Sequence, residues 1–323
     1  MLHNPNVADD PFSDVLRLID AKSLVSGSLI ADGAWAIRFP ASDRVNFWGI
    51  VHGSCWCEME GADRPLLLEP GDFLLRTSPR MAVLATDLQA KPIELADIPV
   101  SATGNLRRLG EGEGEGFSMV GGKVDLDETL GAALLASLPP TVLIKHGSPH
   151  AAVLQDLLAQ LVRERTEARL GVAAATAHIA HLMFIQILRA HLESDSTIAP
   201  GWLRLLGNER LAPAVQRLHA TPERSWGLQE LANACSMSRA SFAAHFKASA
   251  GLAPLAYLAQ LRIRMAARAL VDSDARVSAV AFSLGYASES AFSSAFKRIV
   301  GEAPARYRRM RRGKDAEVPL ARN

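Results

Sequence analysis

The sequence predicts an α+β multidomain chain: an N-terminal antiparallel β-barrel, a helical linker, and a C-terminal all-α domain with two helix-turn-helix motifs. Three observations carry this reading. Short apolar runs with period-2 alternation fill the first third, apolar residues recur at helical spacing from about residue 130, and a sixteen-residue motif in the last third occurs twice, 50 positions apart. At 323 residues the chain is long enough for two or three domains.

Charge divides along the same line. Residues 1–208 hold 17 Lys and Arg against 25 Asp and Glu, a net of −8, whereas residues 209–323 hold 18 against 9, a net of +9. A basic module of this kind is an electrostatic footprint for nucleic acid or an anionic membrane surface. The cysteines (Cys55, Cys57 and Cys235) are too few for a disulfide framework, which points to a reducing compartment. The first residues lack a basic stretch followed by an apolar run, so no signal peptide is expected. The most apolar stretch, residues 182–188, falls short of the ~20 residues a membrane span needs. A soluble, cytoplasmic protein without membrane contact is expected.

The elements follow in order. Trp35, Ile37 and Phe39 alternate with Ala36 and Arg38, as in a half-buried strand. Residues 46–52 and 54–60 read as two strands hinged at Gly53. Residues 66–68 lead into Glu69-Pro70-Gly71-Asp72, whose central Pro-Gly suits a type II turn, and residues 73–76 and 81–85 continue the series, strands whose length and spacing suit an antiparallel barrel or sandwich. Residues 110–116, GEGEGEG, read as a solvated acidic hairpin loop. Val153, Leu154, Leu157, Leu158 and Leu161 mark one helix. Residues 173–192 form a second, apolar around most of its circumference and so buried in a core or an interface.

The repeat aligns residues 242–257 with 292–307, and seven of sixteen positions are identical without a gap: Phe, Phe, Lys, Gly, Ala, Pro and Tyr. Each copy reads as helix–turn–helix. Leu228, Leu231, Ala232 and Cys235 mark a short helix, Ser238 caps the next, Phe242 and Phe246 face inward at i, i+4, and Gly251 stops it. In the second copy Val277, Val280, Ala281 and Leu284 precede Ser288, Phe292, Phe296 and Gly301. Pro254 and Pro304 sit at equivalent helix starts. A rod over residues 254–272 joins the copies, long enough to hold two recognition helices near one DNA turn apart.

These residues resemble the AraC/XylS family of bacterial transcription regulators. The match spans residues 208–309 and is sharpest over Gly285-Tyr286-Ala287-Ser288-Glu289-Ser290-Ala291-Phe292 through Gly301 and Pro304; Leu211, Val215 and Leu218 then anchor the family's first helix. Upstream, Gly53-Ser54-Cys55-Trp56, the Leu68–Asp72 turn motif, Leu138-Pro139-Pro140 and Gly201-Trp202-Leu203 resemble the cupin-type sensor half of one subfamily. The organisation implied is a cupin-like sensor domain at 1–135, a helical linker and dimerisation segment at 136–205, a DNA-binding domain at 206–312 with helix-turn-helix motifs at 228–251 and 277–301, and a flexible tail at 313–323. Metal-binding cupins supply histidines from two strands; here Trp48 stands near the first position and residues 79–84 offer none, which argues against a cupin metal.

Helical phase and the resemblance together nominate Arg239, Ala240, Ala243, Ala244 and Lys247 on the first recognition helix. On the second they nominate Glu289, Ser290, Ser293, Ser294 and Lys297, with Arg306 and its basic neighbours Arg308, Arg309, Arg311 and Arg312 at phosphates. The alanines can only touch thymine methyls, so phosphate contacts and DNA shape should supply much of the affinity. Double-stranded promoter DNA, RNA polymerase, a small-molecule effector and a second copy of the chain are the expected partners, and the expected role is that of an activator.

Trp48, Ile50, Cys55, Cys57, Phe73 and Leu75 are the candidate effector lining, with Trp56 exchanged in by a one-residue slip of register. Cys55 and Cys57 share a strand face, which suits either small core residues or a redox sensor. His178 with His181 and His146 with His150 bring no third ligand at metal spacing, so no metal or cofactor is expected. No nucleophilic triad, carboxylate pair or phosphate-cradling glycine motif stands out, so no enzyme is expected. A redox regulator, a cupin enzyme fused to a DNA-binding tail, and a DNA binder whose N-terminal half only dimerises are the competing classes.

Overall fold

A computed structural model describes residues 10–101, 105–110, 116–167, 169–194 and 198–316. Helix α1 (Pro11–Leu18) comes first. Strands β1 (Lys22–Ala31), β2 (Ala36–Phe39), β3 (Val45–His52), β4 (Cys55–Met59), β5 (Leu66–Leu68), β6 (Phe73–Arg76), β7 (Ala82–Ala85) and β8 (Ile93–Glu94) follow. After a 3-10 turn (Leu95–Asp97) come β9 (Leu106–Leu109), β10 (Phe117–Asp125), α2 (Glu128–Leu135) and β11 (Thr141–Ile144). The remainder is helical: α3 (Pro149–Glu167), α4 (Val172–Ser194), α5 (Trp202–Leu206), α6 (Ala212–Ala220), α7 (Leu228–Ala234), α8 (Arg239–Ala250), α9 (Pro254–Asp272), α10 (Val277–Ser283), α11 (Glu289–Val300) and α12 (Pro304–Ala316). The contacts group these into two compact units, residues 20–127 with 138–198, and residues 10–19 and 128–137 with 199–316.

The β unit is a two-sheet sandwich. One sheet runs β11-β6-β3-β10-β1-β9 and the other β5-β4-β7-β2-β8. Most neighbours are antiparallel, but β1 with β9 and β2 with β8 are parallel. The expected closed, wholly antiparallel barrel is therefore corrected. Among the described residues no ladder joins the edge strands of one sheet to those of the other, and the second sheet ends in strands of three and two residues, too short to close it. Gly53, at φ +65°, carries the chain from the first sheet to the second. The Glu69–Asp72 turn has the type II geometry expected, with Gly71 at φ +83° and Asp72 N–H donating to the Glu69 carbonyl at 2.9 Å.

Strand alternation fills the sandwich. Cys55, Cys57 and Met59 of β4 point inward while Trp56 and Glu58 point out, and they meet Trp48, Ile50, Leu74, Phe117 and Met119 of the opposite sheet. Helix α4 packs on α3 and on β1, β10 and β11. The segment read as a linker is thus laid against the larger sheet of this unit. Within residues 172–193 an 18-residue stretch has a mean hydropathy of 1.3, long and apolar enough by length and composition alone to cross a membrane, so the seven-residue apolar run understated it. The acidic loop at 111–115 and the tail beyond 316 lie outside the described residues.

The helical unit is built on the repeat. Ser238 and Ser288 accept from the N–H groups of Ser241 and Ala291, each at 3.2 Å, and cap α8 and α11. Gly251 and Gly301, both left-handed, end them. The aromatic cores are copies: Phe242–Phe246 and Phe292–Phe296 both stand 5.6 Å apart, and Phe246–Tyr257 and Phe296–Tyr307 meet edge-on at 5.6 and 5.5 Å. Helix α6 buries Leu211, Val215 and Leu218 as expected.

The N-terminal helix belongs to this unit, which the sequence pattern did not signal. Asp10 caps it, Pro11 starts it, and it buries Val15, Leu16 and Leu18. Asp14 meets Nδ1 of the buried His219 at 3.2 Å, and Nε2 of that ring lies 2.7 Å from the Tyr257 hydroxyl.

Gly285 locks the turn between α10 and α11. Its φ is +78°, and a Cβ there would lie 2.0 Å from the Glu223 carbonyl oxygen. Gly285→Ala is expected to lower stability by about 2–3 kcal/mol, combining left-handed strain with the backbone clash. Urea unfolding should show a shifted midpoint at unchanged slope.

Candidate functional site

Two regions carry candidate chemistry. On the helical unit, burial of the Phe pairs decides what α8 and α11 present. Arg239, Ala240, Ala244 and Lys247 are exposed and Ala243 is half-buried; Glu289, Ser290, Ser294 and Lys297 are exposed and Ser293 is half-buried. The i, i+4 inward phase turns Ala240, Ala244 and Lys247, and likewise Ser290, Ser294 and Lys297, outward and puts Ala243 and Ser293 on the flank; Arg239 and Glu289 share the phase of the Phe pairs and are exposed because they open the first turn. His245 and Arg298 are exposed on the same helices, and neither was singled out in the sequence. Arg306 is exposed and lies 3.9 Å from Glu302, a pair worth little in water.

The basic run after α11 divides in two. Arg308 donates to the carbonyls of Leu270 and Ala275, and Arg312 to those of Val271 and Ser273 and to Asp274. Both are thereby committed to the C-terminal end of α9, where cations complement the free carbonyls. The expectation that the whole run reaches phosphates is corrected for these two residues.

In the β unit a cavity of about 340 Å³ opens at one end of the sandwich. Of the six proposed lining residues, Trp48 borders it. Ile50, Cys55 and Cys57 lie deeper, in the packed core between the sheets. Phe73 and Leu75 alternate to the other side of β6; a Cβ on Gly49 would meet Phe73 at 2.9 Å and Leu158 of α3 at 3.2 Å, so this is the helix-covered face. Their neighbours on β6, Leu74 and Arg76, take the interior positions instead. Arg76, Arg107 and Lys123 of the lining were not noticed in the sequence, because a single cation at a strand end gives no periodic signal.

The two strand cysteines are buried, and burial pushes both thiols up, Cys57 to about 12. They are protonated at neutral pH and shielded from solution oxidants, the opposite of a reactive thiolate.

The turn motif at 69–72 ends in a charge network. Buried Asp72 accepts from Lys145 Nζ at 2.7 Å, from the backbone N–H of His146 at 2.7 Å and from that of Glu69 at 2.8 Å. Lys145 also reaches Glu69 at 2.7 Å. Glu69, Asp72 and His146 form a group of metal-type donors among the described residues, but the Lys145 ammonium already stands between the two carboxylates as their cation. Burial alone would raise the Asp72 pKa; the hydrogen bonds from Lys145, His146 and Glu69 outweigh it and hold the carboxyl below its usual value.

Capped, outward-facing helices on a basic unit, together with a separate β-sandwich that has its own cavity, define a DNA-binding regulator. Comparison with known proteins agrees. Residues 10–193 match the cupin family model and residues 231–310 a helix-turn-helix domain model. The chain is 38% identical over 300 residues to an AraC-like transcription regulator of Streptomyces antibioticus, covering 93% of this chain and 98% of that one. It is 30% identical to the HTH-type transcriptional regulator AlkR of Acinetobacter baylyi, over 85% of this chain and 91% of that one. Among solved structures it is similar to the DNA-binding domain of AdpA in complex with a target DNA, at 32% identity and TM-score 0.33, covering 34% of this chain and 99% of that one. The chain belongs to the AraC family of transcription regulators, with a cupin-type N-terminal region and a helix-turn-helix DNA-binding region.

Because folding lowers the Asp72 pKa, its network stabilises the protein above about pH 4 and loses that contribution as pH falls through the folded value. Lys145→Met is expected to cost about 1–3 kcal/mol at pH 7, and the gap to the wild type should narrow on acidification below pH 4 in thermal melts.

Proposed function

We propose that this regulator binds promoter DNA through two helix-turn-helix units, α7–α8 and α10–α11, as a cytoplasmic homodimer that responds to a small effector in its β unit and is not an enzyme. The observation that carries the reading is the duplication itself: two Ser-capped, Gly-terminated helices with matching Phe-Phe-Tyr cores and exposed outer faces. A protein that only bound another protein would need neither copy, nor the +9 charge of residues 209–323. Helix α9, 19 residues and about 28 Å long, separates the two units by nearly one turn of DNA, so that both face successive major grooves.

Arg239 and Lys247, with Lys297 and Arg306, supply phosphate or guanine contacts, Ser290, Ser293, Ser294 and Glu289 polar base-edge contacts, and Ala240, Ala243 and Ala244 methyl contacts. The second copy pairs through the N-terminal half, to which α4, with its apolar face buried on α3 and the larger sheet, offers only its exposed side, and activation proceeds through RNA polymerase. An N-terminal half that merely dimerised would not need the open cavity.

Arg239→Ala combined with Ser290→Ala is expected to weaken operator binding about 10–100-fold at fixed salt, with circular dichroism unchanged; unaltered affinity in a gel-shift titration would reject these helices as readers. Operator affinity should also fall steeply between 50 and 200 mM salt, as counterion release requires. Light scattering at micromolar concentration should give twice the monomer mass, and a monomer with and without DNA would remove the dimer.

A further inference from the structure

The cavity at the open end of the sandwich carries a chemical signature. Pairing register brings Arg76 of β6 opposite Asn46 of β3, and Asn46 opposite Lys123 of β10. Residues directly opposite in an antiparallel sheet share a face, so these three side chains form one row on the interior side, cation–amide–cation, about 10 Å across. A third cation, Arg107 of β9, borders the same space. No carboxylate lines the cavity among the described residues.

Arg76 is the telling member. It is only 3% exposed, its Nη2 donates to the Arg80 carbonyl, its Nε has no partner, and its guanidinium lies 4.8 Å from the centre of the Trp48 ring. A buried guanidinium without a carboxylate is costly, because a charge removed from water requires a counter-charge. Asp72 and Glu69, the acidic pair of the neighbouring turn, are both paired with Lys145 and do not border the cavity.

The next row inward supplies an apolar bed. Leu74, Trp48, Gly121 and Gly27 are successive register partners. Gly121 leaves a hollow beside the Trp48 ring, where a Cβ would make only ordinary contact, at 3.5 Å, whereas at Gly27 the Asn105 carbonyl oxygen fills the space, 2.5 Å from where a Cβ would lie. Phe39, which also borders the cavity, packs on that ring system with centroids 4.7 Å apart.

We propose that this cavity binds a small organic carboxylate, its apolar body on Trp48 in the hollow beside Gly121 and its carboxylate accepting hydrogen bonds from Arg76, with Lys123 and Arg107 adding charge. The assignment rests on the effector-sensing reading above and gives it a ligand class. A volume near 340 Å³ lies within the range of small-molecule sites and admits a body well beyond acetate. The Arg76 guanidinium offers the planar fork that carboxylates match.

The test is a thermal-shift titration of the full chain with hexanoate, decanoate and cyclohexanecarboxylate, each against its primary amide, followed by operator titration with any binder. A carboxylate should raise the melting temperature with a Kd at least about tenfold below that of its amide. Arg76→Met should abolish that preference while leaving the unliganded melting temperature unchanged or higher, since it removes an uncompensated buried charge. Lys123→Gln, at a half-exposed position that tolerates a polar side chain, should weaken carboxylate binding severalfold, and it keeps the test valid if Arg76→Met fails to fold. Equal binding of acid and amide overturns the carboxylate assignment and leaves effector sensing standing. Carboxylate binding that survives both variants overturns the site. Absence of any shift across the panel overturns the ligand class. A carboxylate that binds here, is lost in the variants, and leaves operator affinity unchanged supports the site and rejects the sensing role.

Discussion

The burial of two phenylalanines one helical turn apart is the constraint from which the outer surface of the helical unit follows. Phe242 and Phe246 can both be buried only if α8 holds one rotation about its axis, and that rotation decides that Ala240, Ala244 and Lys247 face outward. Tyr257 then meets Phe246 edge-on and sets where α9 begins relative to α8. The second copy repeats this through Phe292, Phe296 and Tyr307. Truncating one of these rings would cost roughly 3–5 kcal/mol and, more tellingly, would free the helix to rotate.

The local features were legible because each is written in a few adjacent residues. Ser238 and Ser288 as caps, Gly251 and Gly301 as stops, Gly71 in its turn and the inward face of Cys55, Cys57 and Met59 needed nothing but spacing. Features that depend on distant pairing were not. Whether edge strands meet is a property of two chain segments far apart, and short β5 and β8 leave the sandwich open where alternation alone suggests closure. The same holds for β6, where four consecutive buried residues hide the period, so Phe73 and Leu75 could not be told from Leu74 and Arg76 as interior positions. Docking of α1 beside His219 left no trace in its sequence beyond a good cap at Asp10.

Two buried charges in the β unit show contrasting solutions to one problem. Asp72 is surrounded by donors from Lys145, His146 and Glu69, and its ionised form is the favoured one. Arg76, four residues along, has one carbonyl acceptor and an aromatic face. The first arrangement is complete within the chain and ties the turn at 69–72 to the end of β11. The second is complete only when something else is present, which is the property expected of a binding group and not of a structural one.

The helical unit is discontinuous along the chain, and this bears on how the protein is made. Helix α1 and residues 128–137 emerge from the ribosome before the helices they pack on, with 193 residues between α1 and α6. At synthesis rates of about 5–20 residues per second, α1 waits roughly 10–40 s for its partner. Through that interval Val15, Leu16, Leu18 and Ile19 have no α6 or α9 to cover them, while the β unit can already be assembling. The DNA-binding end is therefore the last part to become complete, and a chain halted before residue 220 carries an apolar helix in search of a surface. Nascent chains of this protein should accordingly depend on holding factors more than the stability of the finished molecule would imply.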